Sequence, residues 1–180
     1  MLAGGQNRRA WLEVGNTILI RCVAQRLAPA FSEVMVSFAE PEQLEQPVPF
    51  RVVFDQRSYG GPLAGLEAGL AAARNEVVFA IECDMPYVTP ELAELAVAAA
   101  RTAEAAIPRL SSGYPQVCGA YRRSALPALS AALQAGEVRT PEAFEQLEVT
   151  WLEGMDQDQF RTVKTPEDLE RLNAVLSSQR

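Results

Sequence analysis

Short apolar runs alternate along the chain with longer segments of helical periodicity. The runs are rich in β-branched residues and almost continuously hydrophobic, which is typical of strands covered on both faces. They predict strands at 33–38, 50–54, 77–81, 105–108 and 149–152. The segments between them carry apolar residues at spacings of three and four, and predict helices at 11–27, 62–73, 90–102, 125–134 and 166–176.

This alternation predicts an α/β fold: a mostly parallel sheet with helices on both faces and right-handed crossovers. Residues 113–123 interrupt the pattern, and we expect them to add an extended strand near an edge of the sheet, where Pro115 is tolerated. The length of 180 residues, with no repeat and no linker-like stretch, predicts a single domain over 1–180. Ligands in such sheets bind beyond the carboxyl ends of the strands.

Three predicted helices begin with the same tripeptide, Thr-Pro-Glu, at 89–91, 140–142 and 165–167. The threonine accepts hydrogen bonds from free amides, and proline at the first helical position lacks an N–H that would have no partner. Glutamate favours the positive end of the helix dipole. We interpret all three as structural signals.

The chain contains no histidine. That absence excludes Ser-His-Asp triads, Cys-His pairs, HExxH zinc sites and imidazole acid–base catalysis. Of the 16 basic residues, only Lys164 is a lysine. The remaining chemistry must use carboxylates, arginines, backbone amides, hydroxyl groups or a hard metal ion.

The net charge and the apolar pattern predict which partners the protein has and where in the cell it lies. A formal charge of −7 argues against general nucleic-acid binding, although a small anionic substrate needs only a local site. No apolar run approaches a membrane span and the first ten residues do not resemble a signal peptide, so we expect no membrane partner and a cytoplasmic location. Cys22, Cys83 and Cys118 are far apart, which suits reduced, buried thiols.

Three segments lie where the predicted sheet places a ligand. The first, Leu-Ala-Gly-Gly at 2–5, is followed by Arg8 and Arg9; it is either a phosphate-binding glycine loop or a simple turn. The second follows the strand that ends at Phe54: Asp55 can accept hydrogen bonds from a ribose or a base, and the glycines at 60–61 allow close backbone approach. The alternative is a tight turn before a helix.

The third segment, Glu-Cys-Asp-Met-Pro at 82–86, follows the strand at 77–81. Asp84 is well placed to bind Mg²⁺, which takes one or two carboxylates and completes its shell with water and phosphate oxygens. Its alternative role is to cap the next turn. A glycine loop and two polar strand ends on one sheet edge together predict a nucleotide–Mg²⁺ site without a Walker lysine.

Over nearly the whole chain, the order and spacing of five motifs resemble those of the molybdenum cofactor guanylyltransferases, within the nucleotidyltransferase superfamily. The matching residues are Leu-Ala-Gly-Gly at 2–5 with Arg9, Asp55, Gly-Pro-Leu-Ala-Gly at 61–65, Cys-Asp-Met-Pro at 83–86 and Thr-Pro-Glu-Asp-Leu at 165–169. The resemblance implies a three-layer, Rossmann-like fold of the nucleotide-diphospho-sugar transferase type. It also implies transfer of GMP from GTP to molybdopterin, with release of pyrophosphate, and molybdoenzyme apoproteins as further partners.

Carried over residue by residue, the resemblance implies roles for particular side chains. Asp84 is implied to bind Mg²⁺ and nucleotide, and Arg9 to act with it in catalysis. The implied nucleotide-binding residues are Leu2, Ala3, Gly4, Gly5, Asp55, Gly61, Leu63, Gly65 and Asp84.

The chain also departs from the family pattern. In the family, the loop arginine is followed by Met-Gly, two further residues and a phosphate-binding lysine, whereas Arg9 runs directly into Ala-Trp-Leu at 10–12. The family's Asn-x-Asn-Thr-Pro motif reads Thr-Val-Lys-Thr-Pro at 162–166. Two alternatives therefore stand beside guanylyl transfer: a cytidylyl or sugar-phosphate nucleotidyltransferase, and a non-catalytic homologue that binds nucleotide or a protein partner.

Overall fold

The computed structural model describes residues 2–3, 8–57, 59–111, 113, 115, 117–137 and 140–178. In these ranges the strands are β1 (Leu2–Ala3), β2 (Glu13–Val14), β3 (Thr17–Ile18), β4 (Met35–Phe38), β5 (Arg51–Phe54), β6 (Val77–Ala80), β7 (Ala105–Pro108), β8 (Gly119–Arg122) and β9 (Val149–Leu152). The α-helices are α1 (Leu19–Leu27), α2 (Gly61–Ala72), α3 (Pro90–Ala99), α4 (Leu126–Gln134), α5 (Thr140–Phe144) and α6 (Pro166–Ser178).

The strands form two main sheets, which confirms the predicted α/β class. One is parallel with the order β1-β4-β5, and the other is mixed with the order β6-β8-β7-β9. In the mixed sheet, β8 runs antiparallel to both neighbours, whereas β7 and β9 are parallel. A small hairpin, β2–β3, stands apart from both sheets.

Helices cover both faces of the strands, as predicted. Alternate residues of β6 point to opposite faces. Phe79 and Ile81 join a core cluster with residues of α1 and α3, whereas Val78 and Ala80 pack with residues of α2 and α4. The carboxyl ends of the strands are therefore held between two apolar layers.

The prediction that residues 113–123 add a strand near an edge was wrong in one respect. The strand exists as β8, but it lies between β6 and β7. Small residues allow this close packing: a Cβ atom on Gly119 would lie 2.8 Å from the carbonyl oxygen of Ala106. Pro115 precedes the strand and removes no donor from its ladder.

The predicted helix at 11–27 was also wrong over its first half. Residues Arg8–Trp11 form a 3-10 turn, the β2–β3 hairpin follows, and α1 begins only at Leu19. Gly15, with φ of 59°, supplies the left-handed conformation for the two-residue hairpin loop. Its amide donates to Asn173 Oδ1 (2.9 Å), so the hairpin is anchored to α6.

Two of the predicted threonine caps are confirmed by hydrogen bonds. Thr89 Oγ1 accepts from the amide of Leu92 at the start of α3 (3.3 Å), and Thr165 Oγ1 accepts from the amide of Asp168 at the start of α6 (3.2 Å). The helix α5 begins at Thr140. Within the described ranges, no helix has the length and apolar character that crossing a bilayer requires.

Candidate active site at the carboxyl ends of the strands

The predicted site residues gather around the carboxyl end of β4. Asp55 follows β5, and its amide donates to the carbonyl oxygen of Phe38 (2.9 Å). From the neighbouring sheet, Cys83 packs in one apolar cluster with Phe38 and Val36. The short strand β1 pairs with the same end of β4, with Leu2 opposite Ser37. The structure thus brings the ends of β1, β4, β5 and β6 together.

Asp84 is a buried carboxylate, only 4% exposed. Its Oδ2 accepts a hydrogen bond from Arg9 Nη1, which forms an ion pair across 75 residues of sequence. Its backbone oxygen accepts from the amide of Val163 (2.8 Å), which joins the end of β6 to the segment before α6. Its Oδ1 has no hydrogen-bond partner among the described residues. A buried acceptor in this state is typical of a site that binds a cation or a donor.

Glu82 adds a second carboxylate to the same strand end. Burial first, and then the negative charge of Asp84, raise the pKa of Glu82 to about 6, although Lys164 and Arg9 oppose the shift. The charges of Asp84, Arg9 and Lys164 therefore all act on the Glu82 carboxyl group. Lys164 is exposed, and its backbone amide, not its ammonium group, donates to Asp168 Oδ2 (3.1 Å).

The residues around Asp84 fit Mg²⁺ better than a softer metal. Burial raises the pKa of the Cys83 thiol to about 12, so this side chain stays protonated and apolar. Within the described part of the chain, no group of three or more His, Cys, Asp or Glu residues could form a complete metal cage. One or two carboxylates with open coordination positions suit an ion that keeps water and phosphate ligands.

Asp55 lies at the end of the neighbouring strand β5. Ser37 Oγ donates to Asp55 Oδ1 (2.7 Å). Burial raises the pKa of Asp55 to about 6, which the Ser37 hydrogen bond opposes and the charge of Glu67 reinforces. The second oxygen of this carboxyl is thus held in a defined direction at the sheet edge, as binding a hydroxyl or amino group requires.

An ion pair between Arg57 and the buried carboxylate of Glu67 holds the loop that follows Asp55. Arg57 donates to Glu67 through both Nε (2.9 Å) and Nη2 (3.2 Å), and Ser130 Oγ adds a third hydrogen bond (2.6 Å). Burial on its own raises the pKa of Glu67, but these hydrogen bonds outweigh it and leave the pKa lowered. A fully partnered buried carboxylate fixes the loop against α2 and α4.

The start of α2 is shaped by two glycines. A Cβ atom on Gly60 would lie 2.4 Å from Ala64 Cβ, and Gly61 has a φ of +54°. The chain therefore turns sharply from the Asp55 loop into the helix. Leu63, one of the predicted nucleotide-binding residues, has a fully buried side chain in the core, and Gly65 is buried in the first turns of α2.

Several predictions fall outside what the structure describes. Gly4 and Gly5, in the predicted phosphate loop, lie outside the described residues. For Leu2 and Ala3 the structure gives the backbone pairing only. The nucleotide-binding roles of all four residues stay predictions.

Sequence reasoning missed Glu67, Ser37 and Ser130. Two signals for them were present in the sequence. Glu67 is the only charged residue in the otherwise apolar helix α2, and Ser37 is the only polar residue of β4. A buried polar side chain needs a partner, so both positions pointed to a polar network.

Comparison with known proteins places the chain among nucleotidyltransferases. A family model described as a MobA-like NTP transferase domain matches residues 1–149. A probable molybdenum cofactor guanylyltransferase from Pelotomaculum thermopropionicum is 29% identical over 192 residues, which cover 100% of this chain and 93% of the relative. One from Methanosarcina acetivorans is 32% identical over 199 residues, covering 96% and 88%.

A solved structure agrees with the fold. The crystal structure of molybdopterin-guanine dinucleotide biosynthesis protein A from Archaeoglobus fulgidus superposes with a TM-score of 0.82 at 23% identity, covering 98% of this chain and 97% of the other. This likeness confirms the predicted Rossmann-like nucleotidyltransferase architecture. Together with the family model, which matches most of the sequence, it leads to one conclusion: the chain belongs to the family of MobA-like NTP transferase domains.

Proposed function

We propose that this protein is a guanylyltransferase that transfers GMP from GTP to molybdopterin, releasing pyrophosphate and forming the guanine dinucleotide cofactor. The observation that carries the proposal is Asp84, a buried carboxylate at the end of β6 that pairs with Arg9 and whose Oδ1 has no hydrogen-bond partner among the described residues. The names of the relatives support the choice of GTP and molybdopterin as substrates. We infer that residues 1–180 act as a single domain in the cytoplasm and that molybdoenzyme apoproteins receive the product.

The reaction requires little acid–base chemistry from the protein. An oxygen of the terminal phosphate of molybdopterin attacks the α-phosphorus of GTP, and the bond between the α- and β-phosphates breaks as pyrophosphate leaves. The nucleophile is already ionised near neutral pH, so no general base has to remove a proton. Catalysis then depends on in-line positioning and on neutralising phosphate charge. A chain without histidine is chemically adequate for this reaction.

Arg9 and Lys164 supply the fixed positive charges in this mechanism. Arg9 is held beside Asp84 by their ion pair and remains one-third exposed, so its guanidinium can reach a bound phosphate. Lys164, in the segment before α6, lies within electrostatic range of Glu82, since its charge opposes the rise in the pKa of that carboxyl. Two cations on opposite segments of the chain can neutralise the phosphates of nucleotide and acceptor together.

Mg²⁺ fits this strand end, and Asp84 with Glu82 would hold it. When bound, the ion supplies further neutralisation of phosphate charge. Asp84 holds Arg9 in place through their ion pair, and its Oδ1, which has no partner among the described residues, would be open to the ion. Burial raises the pKa of Glu82, and a cation bound at this site would lower it again, because a nearby positive charge favours the ionised carboxylate.

The opposite end of the site is proposed to bind guanosine. Asp55, oriented by Ser37, accepts hydrogen bonds from the ribose or the base. The turn from Gly61 to Gly65, including the backbone of Leu63, approaches the ring, and Leu2, Ala3, Gly4 and Gly5 line the phosphates. The ion pair between Arg57 and Glu67 keeps this loop in place.

The first experiment measures turnover of Asp84→Asn as pyrophosphate release from GTP with molybdopterin as acceptor. We expect kcat to fall by at least about 100-fold, because the substitution removes the charge that organises the site. The melting temperature should change by only a few degrees, since the asparagine keeps the shape of the side chain. Asp158→Asn, which removes an exposed carboxylate paired with Arg161, is the matched control and should retain full activity. Retained activity with a large loss of stability would assign Asp84 a capping role instead.

Calorimetric titration with Mg-GTP and Mg-CTP distinguishes the remaining alternatives. Tight binding of GTP with turnover supports guanylyl transfer, whereas a preference for CTP supports a cytidylyltransferase. The direct run of Arg9 into residues 10–12, without the lysine of the family loop, favours a second candidate: a homologue that binds nucleotide but does not turn over. Binding of GTP without pyrophosphate release would support that candidate.

A further inference from the structure

The 3-10 turn that carries Arg9 depends on its surroundings for its position. It comprises Arg8–Trp11, and the hydrogen bonds of 3-10 geometry are weaker than those of an α-helix. A backbone bond from the amide of Leu12 to the carbonyl oxygen of Arg9 (3.1 Å) closes the turn. The Arg9 side chain reaches the buried carboxylate of Asp84 and stays one-third exposed. Holding such a long side chain in one direction costs rotamer freedom, so its backbone needs an anchor.

Trp11, two residues after Arg9, attaches the turn to the end of β4. Its indole ring stacks on Phe38, with ring centroids 5.7 Å apart and planes within 6° of parallel. The intervening residue, Ala10, is buried in the same apolar cluster as Phe38. Phe38 is the last residue of β4, and its carbonyl oxygen accepts from the amide of Asp55 (2.9 Å). One aromatic residue therefore supports both the Arg9 turn and the start of the Asp55 loop.

A hydrogen bond fixes the orientation of the indole ring. Trp11 Nε1 donates to the backbone oxygen of Gln43 (3.0 Å). The side-chain oxygen of Gln43 in turn accepts from the amide of Ala39 (3.0 Å), which directly follows β4. The ring is thus held through its face by one contact and through its edge by another, and both contacts lead to the end of β4.

We propose that Trp11 is a positioning residue: by fixing the turn against β4, it holds the Arg9 guanidinium beside Asp84 and within reach of a bound phosphate. The kinetic consequence rests on the proposed guanylyl transfer, whereas the structural consequence does not. A shift of about 1 Å in a charged group weakens its stabilisation of a transition state. Loss of the anchor should therefore lower kcat more than it raises KM.

The test compares four proteins: the native chain, Trp11→Leu, Arg9→Gln and the double variant. In the native chain, Arg9→Gln should lower the melting temperature by about 5 °C or more, because it leaves the buried Asp84 carboxylate without its ion-pair partner. In the Trp11→Leu background the same change should lower it by less than about 2 °C, since Arg9 has already lost its fixed position. Equal losses in the two backgrounds, or no loss in either, would overturn the proposal.

Kinetics with GTP and molybdopterin test the consequence for catalysis. Trp11→Leu should lower kcat by about tenfold or more in the native chain, and cause no further loss in the Arg9→Gln background. Trp11→Phe keeps the stacked ring and should recover part of kcat. Independent, additive losses would show that Trp11 does not act through Arg9, against the proposal. A native chain without turnover would refute the proposed function, and the melting temperatures, which need no ligand, would then decide the role of Trp11.

Phe31→Leu is the matched control. Phe31 is half-buried, as Trp11 is, and it stacks on Phe79 (6.1 Å, 20°) in a different apolar cluster. Its replacement should lower the melting temperature about as much as Trp11→Leu does, but leave kcat and the effect of Arg9→Gln unchanged. If Phe31→Leu lowered kcat as much as Trp11→Leu, both losses would reflect a general loosening of the fold, and the proposal would fail.

Discussion

Lys164 is fixed in place by backbone hydrogen bonds on each side of it. The amide of the preceding residue, Val163, donates to the backbone oxygen of Asp84, and the amide of Lys164 itself donates to Asp168 Oδ2. Thr165 and Asp168 complete a reciprocal cap at the start of α6. The backbone at this position therefore contributes to the fold through hydrogen bonds. The exposed ammonium group of Lys164 is left to neutralise the charge of a bound phosphate.

Replacing Lys164 by methionine separates these two roles. We expect Lys164→Met to raise KM for a phosphate-bearing substrate by about tenfold or more, because a charge-assisted hydrogen bond contributes roughly 1.5–3 kcal/mol. The melting temperature should shift by no more than about 2 °C, since the backbone cap stays intact. Steady-state kinetics and thermal unfolding measure the two effects.

Two further variants sharpen this prediction. Lys164→Arg restores the charge and should recover part of the lost affinity. Arg161→Met removes an exposed cation nearby, which pairs with Asp158, and should leave KM unchanged. A large fall in stability for Lys164→Met with normal kinetics would show that the side chain supports structure instead.

Single residues divide clearly into those that the sequence could predict and those that it could not. Asp84 and Asp55 were predictable because each follows an apolar run, and the carboxyl ends of such strands meet at one edge. The ion pair of Arg9 with Asp84 was not, because it joins segments 75 residues apart. The buried network of Glu67 likewise depends on Ser130, whose position is set by the packing of α2 against α4.

At the scale of elements, two glycines, one just before α2 and one inside it, lie in opposite environments. Gly60, just before the helix, would place a Cβ atom 2.4 Å from Ala64 Cβ and 3.1 Å from Leu133 Cδ2. Gly69, in the helix interior, would place one in open space, with nothing within 4 Å. The same substitution at the two sites therefore has opposite expected signs.

We expect Gly60→Ala to destabilise the protein by about 1–3 kcal/mol, because the added methyl group overpacks the turn into α2. Gly69→Ala should stabilise it by about 0.5–1 kcal/mol, since alanine loses less backbone entropy in a helix. Denaturant unfolding of both variants measures the difference. If Gly60→Ala proved neutral, the turn would be able to relax, and the tight approach of α2 to the Asp55 loop would not be required for stability.

Element order was predictable, but strand pairing was less so. The predicted strands at 105–108 and 149–152 match β7 and β9, because local apolar runs specify them. The position of β8 inside the sheet depends instead on its non-local pairing with β6 and β7. The hairpin at residues 13–18 shared the apolar spacing of a helix, and only Gly15 and Asn16 marked the turn.

For the whole molecule, the absence of histidine simplifies the response to pH. Ordinary carboxyl groups titrate near pH 4, and no imidazole titrates between pH 5 and 8. Asp55 and Glu82 are exceptions, because burial raises the pKa of each to about 6. Hydrogen bonds and neighbouring arginines, which outweigh burial, lower the pKa of Glu33.

These shifts act in different pH ranges. When the folded pKa of a carboxyl is raised, the folded state binds more protons than the unfolded state between about pH 4 and 6, so stability falls as pH rises through that range. When the folded pKa is lowered, as for Glu33, stability is present above the unfolded pKa and is lost as pH falls through the folded pKa. The two effects together place maximum stability close to the unfolded carboxyl pKa, between about pH 4 and 5, so that stability is already falling above pH 5.

We therefore expect the melting temperature, measured without divalent ions, to decrease by a few degrees from pH 5 to pH 7 and then to stay level up to pH 8. Glu82→Gln and Asp55→Asn should each flatten this decrease, because each removes one of the two groups that bind a proton more tightly in the folded state. Glu153→Gln, an exposed carboxylate in a surface ion pair, is the control and should leave the slope unchanged. A melting temperature that rose between pH 5 and 7 would show that neither carboxyl is protonated in the folded protein, and the two strand ends would then carry full negative charge before any cation binds.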